Sequence, residues 1–314
     1  MSEIRVCQKW PIPSDAFGLR ADLYLQRKMG RISRNRAQKI ILNQDFLLNN
    51  QPIKSSQKVK VGEMACLWRF APDEPDSIKD FNVEVIYEHK DFLVLNKPHG
   101  LNIHPSAKSL YKTLTFWLKV NYPNFKINPS HRLDKDTSGV VICSKNKVTD
   151  ALLKKQFLKK QVKKIYLAVV QGHFKSSKVI DMPIATQENG LRIRMVHDKN
   201  GKKAITKVRA VKYCSETHRT LVLCRPLTGR QHQIRSHLAL IGFPIVGDKL
   251  YGKSDSFFKA ICAKEPQAWA LLEHERHALH AFKLMITINE KKYIFRADIP
   301  KDFYRLKLFA KPSC

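Results

Sequence analysis

Residues 71–80, Ala-Pro-Asp-Glu-Pro-Asp-Ser-Ile-Lys-Asp, constrain the fold of this chain more than any other segment. They hold two prolines and four acidic residues within a chain whose 57 Lys and Arg outnumber 27 Asp and Glu. A Pro-containing acidic stretch unlike either flank reads as a linker, because it offers no apolar period with which to join a core. The apolar pattern also changes across it, from helical spacing before to short β-branched runs after. The reading is therefore of two domains, residues 1–70 and 81–314, joined by 71–80. A length of 314 residues suits one large domain with a small accessory one.

The N-terminal part has a compact logic. Leu19, Leu23 and Leu25 alternate with charges at helical spacing and predict a helix over 19–29. Ser33 is an N-cap residue for a second helix running to Asn43, with Ala37, Ile40 and Ile41 on one face. Arg34, Arg36 and Lys39 are then left for solvent or phosphate. Two short apolar runs about a turn follow at 46–53, and a strand is expected near 64–68. Residues 20–64 carry ten basic and three acidic side chains, a net of +7, which favours phosphate contact through counterion release.

Beyond the linker, runs at 83–87, 92–95, 140–143, 165–170, 208–211 and 221–224 read as strands. Residues 110–120 and 147–160 read as helices. Several strands follow one another without a helix between them, so antiparallel neighbours dominate. The fold class is α+β: a mixed, largely antiparallel sheet domain with peripheral helices, plus a small N-terminal α/β domain.

A formal charge of +30 exceeds what solubility requires and points to a polyanion, nucleic acid first. No apolar run approaches the roughly 20 residues that span a bilayer, and no lipid-anchor or secretory signal is evident. A soluble, cytoplasmic protein without a membrane partner is expected. The seven cysteines (Cys7, Cys66, Cys143, Cys214, Cys224, Cys262 and Cys314) are scattered and never spaced C-x-x-C. They predict reduced structural thiols in a reducing compartment, with neither a disulfide framework nor a zinc module.

The chemistry concentrates at His131-Arg-Leu-Asp-Lys-Asp-Thr-Ser-Gly139, just before the run at 140–143. It sets a carboxylate, Asp134, between Arg132 and Lys135 at a strand entrance, a position for a nucleophile or a base. Alone, the segment is equally a charged turn. Four further segments accompany it: Asn96-Lys-Pro-His-Gly-Leu101, Lys164-Ile-Tyr-Leu-Ala168, Leu227-Thr-Gly-Arg-Gln-His-Gln-Ile-Arg-Ser-His237 leading to Pro244-Ile-Val-Gly-Asp248, and Arg276-His-Ala-Leu-His-Ala281. With these five motifs in order, the chain resembles the RluA-type pseudouridine synthases, and residues 20–64 resemble the alpha-L RNA-binding domain.

The resemblance implies a cofactor-independent isomerase that breaks the uracil–ribose bond of chosen uridines and remakes it at carbon 5. Asp134 takes the place of the family's aspartate, acting by attack on the anomeric carbon or by removal of a sugar proton. Arg235 takes the place of the arginine paired with it, and Tyr166 that of the tyrosine that stacks on uracil. A uridine in folded RNA has to be flipped out, at a cost of a few kcal/mol, and Arg132 matches the residue that fills the vacated stack. His131, Arg230 and Lys97 join Arg132 on the RNA-binding surface, with Arg34, Arg36 and Lys39 on the N-terminal domain. Lys97 and Asn96 also hold the base of the cleft. Phe243 departs from the family, where a histidine is frequent before Pro-Ile-Val-Gly. The lysines Lys154, Lys155, Lys159, Lys160, Lys163 and Lys164 extend the basic surface.

A metal site at His131, His232, His237, His274, His277 and His280 is rejected, since the zincin spacing with its Glu is missing. These histidines are expected to orient loops or touch RNA. The rival to an enzyme is a non-catalytic RNA-binding ribosome-assembly factor on the same scaffold; a DNA-binding regulator fits less well because a strand follows the second helix. An alpha-L domain in this family accompanies activity on large-subunit ribosomal RNA, which is the expected substrate, with transfer RNA second and a monomer as the expected state.

Overall fold

The computed structural model describes residues 5–30, 32–70, 75–106, 109–188, 190–191 and 193–309. The chain divides into two compact units, Met1–Glu74 with Ser106–Leu110, and Pro75–Pro105 with Tyr111–Cys314. Of the expected linker, residues 71–74 lie outside the described residues. Its second half forms a turn of 3-10 helix at Pro75–Ile78, whose Ile78 is buried.

In the first unit, α1 (Ala21–Met29) ends at Gly30, whose φ of 65° supplies the left-handed C-cap that glycine takes without strain. The Ser33 side chain accepts the Arg36 N–H and starts α2 (Arg34–Leu42). Strands β1 (Arg5–Pro11), β2 (Phe46–Leu48), β3 (Gln51–Pro52) and β4 (Met64–Phe70) form an antiparallel sheet in the order β1-β4-β2-β3. Leu25, Ala37, Ile41, Phe46 and Leu67 are buried together as its core.

Strand β1 is unforeseen in the sequence, and it changes the cysteine account. Cys7 pairs in register with Trp68, and Cys66 with Lys9. The two cysteines are thus diagonal neighbours on one face, with Cα atoms 6.1 Å apart, and they are bonded to one another. The expectation of reduced thiols is corrected here, since 59 residues of sequence separate a pair that the register brings together. Cys143, Cys214, Cys224 and Cys262 are free thiols, and Cys314 lies outside the described residues.

The second unit is built on a ten-stranded sheet. Its strands are β5 (Glu84–Glu88), β6 (Phe92–Lys97), β7 (Asn128–Pro129), β8 (Ser138–Ser144), β9 (Lys163–Gln171), β10 (Ser177–Asp181), β13 (Ile205–Cys214), β14 (Arg219–Pro226), β15 (Leu279–Ile288) and β16 (Lys291–Arg296). The order is β10-β13-β14-β9-β15-β8-β6-β5, with β16 paired to β15 and β7 to β8. Strands β11 (Ile184–Thr186) and β12 (Met195–His197) pair separately. Only β8 against β15 is parallel among the described strand pairs, so the mixed, mainly antiparallel α+β reading holds. Helix α3 (Leu114–Asn121) begins four residues later than the sequence predicts because Thr113 caps it, accepting the Phe116 N–H. Helix α4 (Lys147–Leu158) is capped by Asn146; α5 (Gln233–Leu240), α6 (Asp255–Cys262) and α7 (Pro266–Ala270) complete the unit.

Gly139 fixes where β8 meets β15. Its φ is 113°, and a Cβ there would lie 2.2 Å from the Ala281 carbonyl oxygen. Only glycine lets the two backbones approach this closely, and the approach sets the end of the 131–137 loop at the centre of the sheet.

Candidate active site

That loop lines a cleft of about 810 Å³, with Asp134, Tyr166, Arg235 and His232 on its walls. Four buried groups hold the loop from the protein side. Lys97 Nζ donates to the Lys135 carbonyl at 3.0 Å, and Arg276 Nη1 to the Asp136 carbonyl at 3.1 Å. Thr137 Oγ1 meets His277 Nε2 at 2.8 Å, and Ser138 Oγ meets His280 Nδ1 at 2.9 Å. A loop with its carbonyls occupied from beneath has little freedom to move Asp134.

Asp134, at 26% side-chain exposure, accepts Arg235 Nη1 at 3.1 Å. The guanidinium is itself seated on Asp248, with Nε to Oδ2 at 2.7 Å and Nη2 to Oδ1 at 2.9 Å. Asp248 is buried and also accepts the N–H groups of Leu250 and Tyr251. Burial pushes its carboxyl up, but the Arg235 guanidinium outweighs this and holds it well below the usual carboxylate range. Burial alone would lower Arg235; Asp248, and then Asp134, raise it. The Tyr251 ring lies 5.1 Å from the guanidinium carbon. Gly247 makes the seat possible: its φ is 74°, and a Cβ would lie 2.2 Å from the Arg276 carbonyl oxygen.

His232, the left-handed residue before α5 with φ 52°, reaches Asp134 Oδ2 at 3.9 Å through Nε2. Burial lowers its pKa, so the neutral ring prevails. Tyr251 Oη accepts the Met195 N–H at 2.8 Å and meets His232 Nδ1 at 3.2 Å. In the tautomer protonated at Nε2, the hydroxyl donates to Nδ1 and the imidazole N–H faces Asp134.

Tyr166, on β9, is buried to 8% exposure and lines the same cleft. Burial, and then the Asp134 charge, push its phenol well above the ordinary value, so it stays protonated. Arg132 and Arg230 are exposed at the cleft, with Arg230 Nε on the Lys203 carbonyl at 3.0 Å. Gln233 fixes the loop before it, accepting from Thr228 and from the Arg230 N–H and donating to Ile205 and Thr206.

Three residues expected at the RNA surface have partners within the protein. Lys97 is fully buried, and its ammonium donates to the Pro98, Leu101 and Lys135 carbonyls. Burial draws its pKa down to about 7, opposed mainly by Asp136. With its protons directed at backbone, it shapes the loop and has none left for phosphate. His131 accepts the Ile142 N–H at Nε2 and stacks on Phe157 at 4.8 Å. Burial takes its pKa to about 3, so it is a neutral wall of the cleft. Arg34 donates to the buried Asp22, as do Arg20 and Gln38, so its first task lies within its own unit. Arg36 and Lys39 are exposed.

The remaining histidines have hydrogen-bonding partners: His237 meets Thr206 and the Met182 carbonyl, and His274 meets the Arg276 carbonyl. Phe243 packs edge-on to Phe174 at 5.0 Å, an apolar contact in place of the more usual histidine, and a Cβ at Gly172 would lie 3.5 Å from the Phe243 ring. Asp248, Tyr251 and Arg276 were missed as functional positions, and His232 was expected to orient a loop or touch RNA, not to face Asp134. The sequence offered one signal, since an arginine in an apolar helix such as α5 requires a buried anion, and Asp248 follows Gly247 within the same motif.

The chain is similar to known proteins over most of its length. The family described as RNA pseudouridylate synthase matches residues 91–240, and the S4 domain matches residues 19–64. The ribosomal large subunit pseudouridine synthase D of Borreliella burgdorferi is 32% identical over 96% of this chain and 91% of its own. That of Zymomonas mobilis is 30% identical, covering 94% and 95%. Human RNA pseudouridylate synthase domain containing 1 superposes with a TM-score of 0.57 at 28% identity, over 69% of this chain and 83% of its own. The chain belongs to the RNA pseudouridine synthase family, isomerases that convert uridine in RNA to pseudouridine, and carries an S4 domain at its N-terminal end.

Proposed function

We propose that this protein isomerises specific uridines of large-subunit ribosomal RNA, with Asp134 as nucleophile or base. The observation that carries the reading is one carboxylate in the cleft, held by an arginine that a second, buried carboxylate has already fixed. Catalysis by positioning needs such a pre-set carboxylate close to the ribose. Arg235 orients Asp134, and Tyr166 lies where a flipped uracil stacks, its protonated phenol suited to donating a hydrogen bond or relaying a proton. Arg132 fills the gap that the extruded base leaves, and Arg230 contacts phosphate. The two bacterial relatives are named for the ribosomal large subunit, which supports that RNA over transfer RNA.

Residues 1–70 serve as the RNA-binding domain through Arg36 and Lys39, with Arg34 beside them, and 81–314 as the catalytic domain, joined by 71–80. The enzyme acts as a cytoplasmic monomer without a cofactor. Among the described residues no helix is long and apolar enough to cross a membrane.

The test is pseudouridine mapping of unmodified ribosomal and transfer RNA after incubation with purified protein. New pseudouridine at a large-subunit site is expected, with none from Asp134→Asn, while that variant keeps its RNA affinity. Activity in Asp134→Asn, or product only in transfer RNA, would overturn the respective part of the proposal.

A further inference from the structure

On the sheet face turned away from Tyr166, the strand register aligns a row of cations. Lys283 on β15 pairs with Arg296 on β16 and with Ile165 on β9. Cys224 pairs with Tyr166, which sets Arg225 beside Ile165; Arg225 pairs with Lys207, and Lys207 with Val179. Residues directly opposite in antiparallel ladders share a face. Arg296, Lys283, Ile165, Arg225, Lys207 and Val179 thus form one line across six strands, about 24 Å at roughly 4.8 Å per strand. Arg209, opposite Leu223, adds a cation in the next row.

The row is open. Arg225, Lys207, Arg209 and Arg296 are exposed, as is Val179 at 57%, and a groove of about 410 Å³ runs along its β9–β10 side. None of the five cations pairs with a carboxylate among the described residues. Lys207 against Arg225 and Lys283 against Arg296 are like charges directly opposite one another, an arrangement that weakens a sheet unless an anion lies over it. At Ile165 and Arg225 the row lies near the ends of β9 and β14 that reach the cleft, and Arg225 lines both the cleft and the groove.

Resting on the function proposed above, we propose that this row is a second RNA-binding track, carrying the phosphate backbone that flanks the target nucleotide as it passes over the ends of β9 and β14. Ile165, Leu223 and Val179 give it an apolar floor for ribose or an unpaired base, and the cations above them neutralise successive phosphates. A substrate reaching only into the cleft leaves the track empty; a longer one occupies it.

The test compares wild type with a triple variant, Lys207→Gln, Arg209→Gln and Arg296→Gln, all exposed positions outside the cleft. Affinity is measured against salt for a short stem-loop bearing the target uridine and for a long ribosomal RNA fragment containing it. The log-log salt slope on the long RNA should fall by about two to three, near one for each phosphate no longer neutralised, with the short-RNA slope and kcat unchanged. An unchanged slope on the long RNA, or an equal fall on both, overturns the track. Coupling a cysteine-directed cross-linker at Lys207→Cys gives an independent readout, with cross-links expected only to nucleotides flanking the target and their absence counting against the track. If wild type forms no pseudouridine in either RNA, the proposed function fails, while slopes and cross-links still decide the track.

Discussion

Replacing Asp248 with Asn tests whether the active carboxylate is set by a relay of buried charge. Asp248 Oδ1 accepts from Arg235 Nη2, Leu250 N and Tyr251 N, and Oδ2 accepts from Arg235 Nε. Asparagine keeps one acceptor oxygen and turns an NH2 group toward the guanidinium, so at least one buried Arg235 donor loses its partner. Removing one side of a buried ion pair costs about 3–5 kcal/mol. Asp134 stays close to Arg235 and offsets part of this, so a loss of about 3 kcal/mol is expected in urea unfolding. The freed guanidinium no longer holds Asp134, and a displacement near 1 Å costs about a hundredfold in rate.

The double variant Arg235→Met, Asp248→Asn separates the two effects. With the buried cation and its main partner both gone, no uncompensated pair remains, and much of the lost stability should return. Activity should not return, because nothing orients Asp134. Turnover would be followed by release of the carbon 5 hydrogen from labelled uridine, and stability by urea titration. A single-variant loss below about 1 kcal/mol with turnover within a few-fold of wild type would refute the relay. Recovery of turnover in the double variant would also refute it.

Gly139→Ala should yield little folded protein, because the new Cβ meets the Ala281 carbonyl at 2.2 Å; soluble yield and thermal unfolding check this, and a wild-type melting temperature would contradict it. Stability should fall as pH drops from about 6.5 toward 4, because the unfolded chain protonates imidazoles that burial keeps neutral, with His280 down to about 4 and His131 to about 3. Moving His280 from 6.5 to about 4 is worth on the order of 3 kcal/mol, so urea midpoints for His280→Gln should decline less over this window than wild type. Asp248 acts in a lower window: its folded value is depressed, so its contribution is present above about pH 4 and is lost as pH falls through that folded value. Lys97→Met should cost about 1–3 kcal/mol by stranding buried carbonyls and should lower kcat more than RNA affinity, whereas a loss of affinity alone would restore it to the RNA surface. Arg36→Ala with Lys39→Ala should reduce the salt slope of RNA binding by about two at unchanged kcat, measured by anisotropy; an unchanged slope would remove them from the footprint.

Elements with a strong local signal were legible in the sequence. The Ser33 cap, the helix ending at Gly30, and the apolar runs that became β6, β8 and β9 all declare themselves within a few residues. Strands β1, β15 and β16 were not foreseen, since Lys and Arg interrupt their apolar pattern and their pairing decides them more than their composition does. The same holds for Cys7 and Cys66, which only the register of β1 on β4 makes neighbours.

At the site, Asp134 and its partner Arg235 were legible through the motifs that hold them, whereas the hydrogen bonds by which buried residues fix the loop were not. Asp134 stands in a motif whose charge is visible, whereas Lys97 looks like any other lysine in a chain of net charge +30. Its function is decided by the Pro98, Leu101 and Lys135 carbonyls, which converge on one point only after β6 and the 131–137 loop have packed. Burial changes what a basic residue can do: exposed, it meets phosphate through a screened charge; enclosed, it must direct its donors to the protein or forfeit the hydrogen bonds it had with water. Lys97 and Arg276 take the second course beneath the loop, and Arg235 takes it beside Asp134. The strong basic excess therefore divides into an outer population that attracts RNA and an inner one that fixes a single carboxylate, and for a residue such as Lys97 it is packing, not sequence pattern, that separates them.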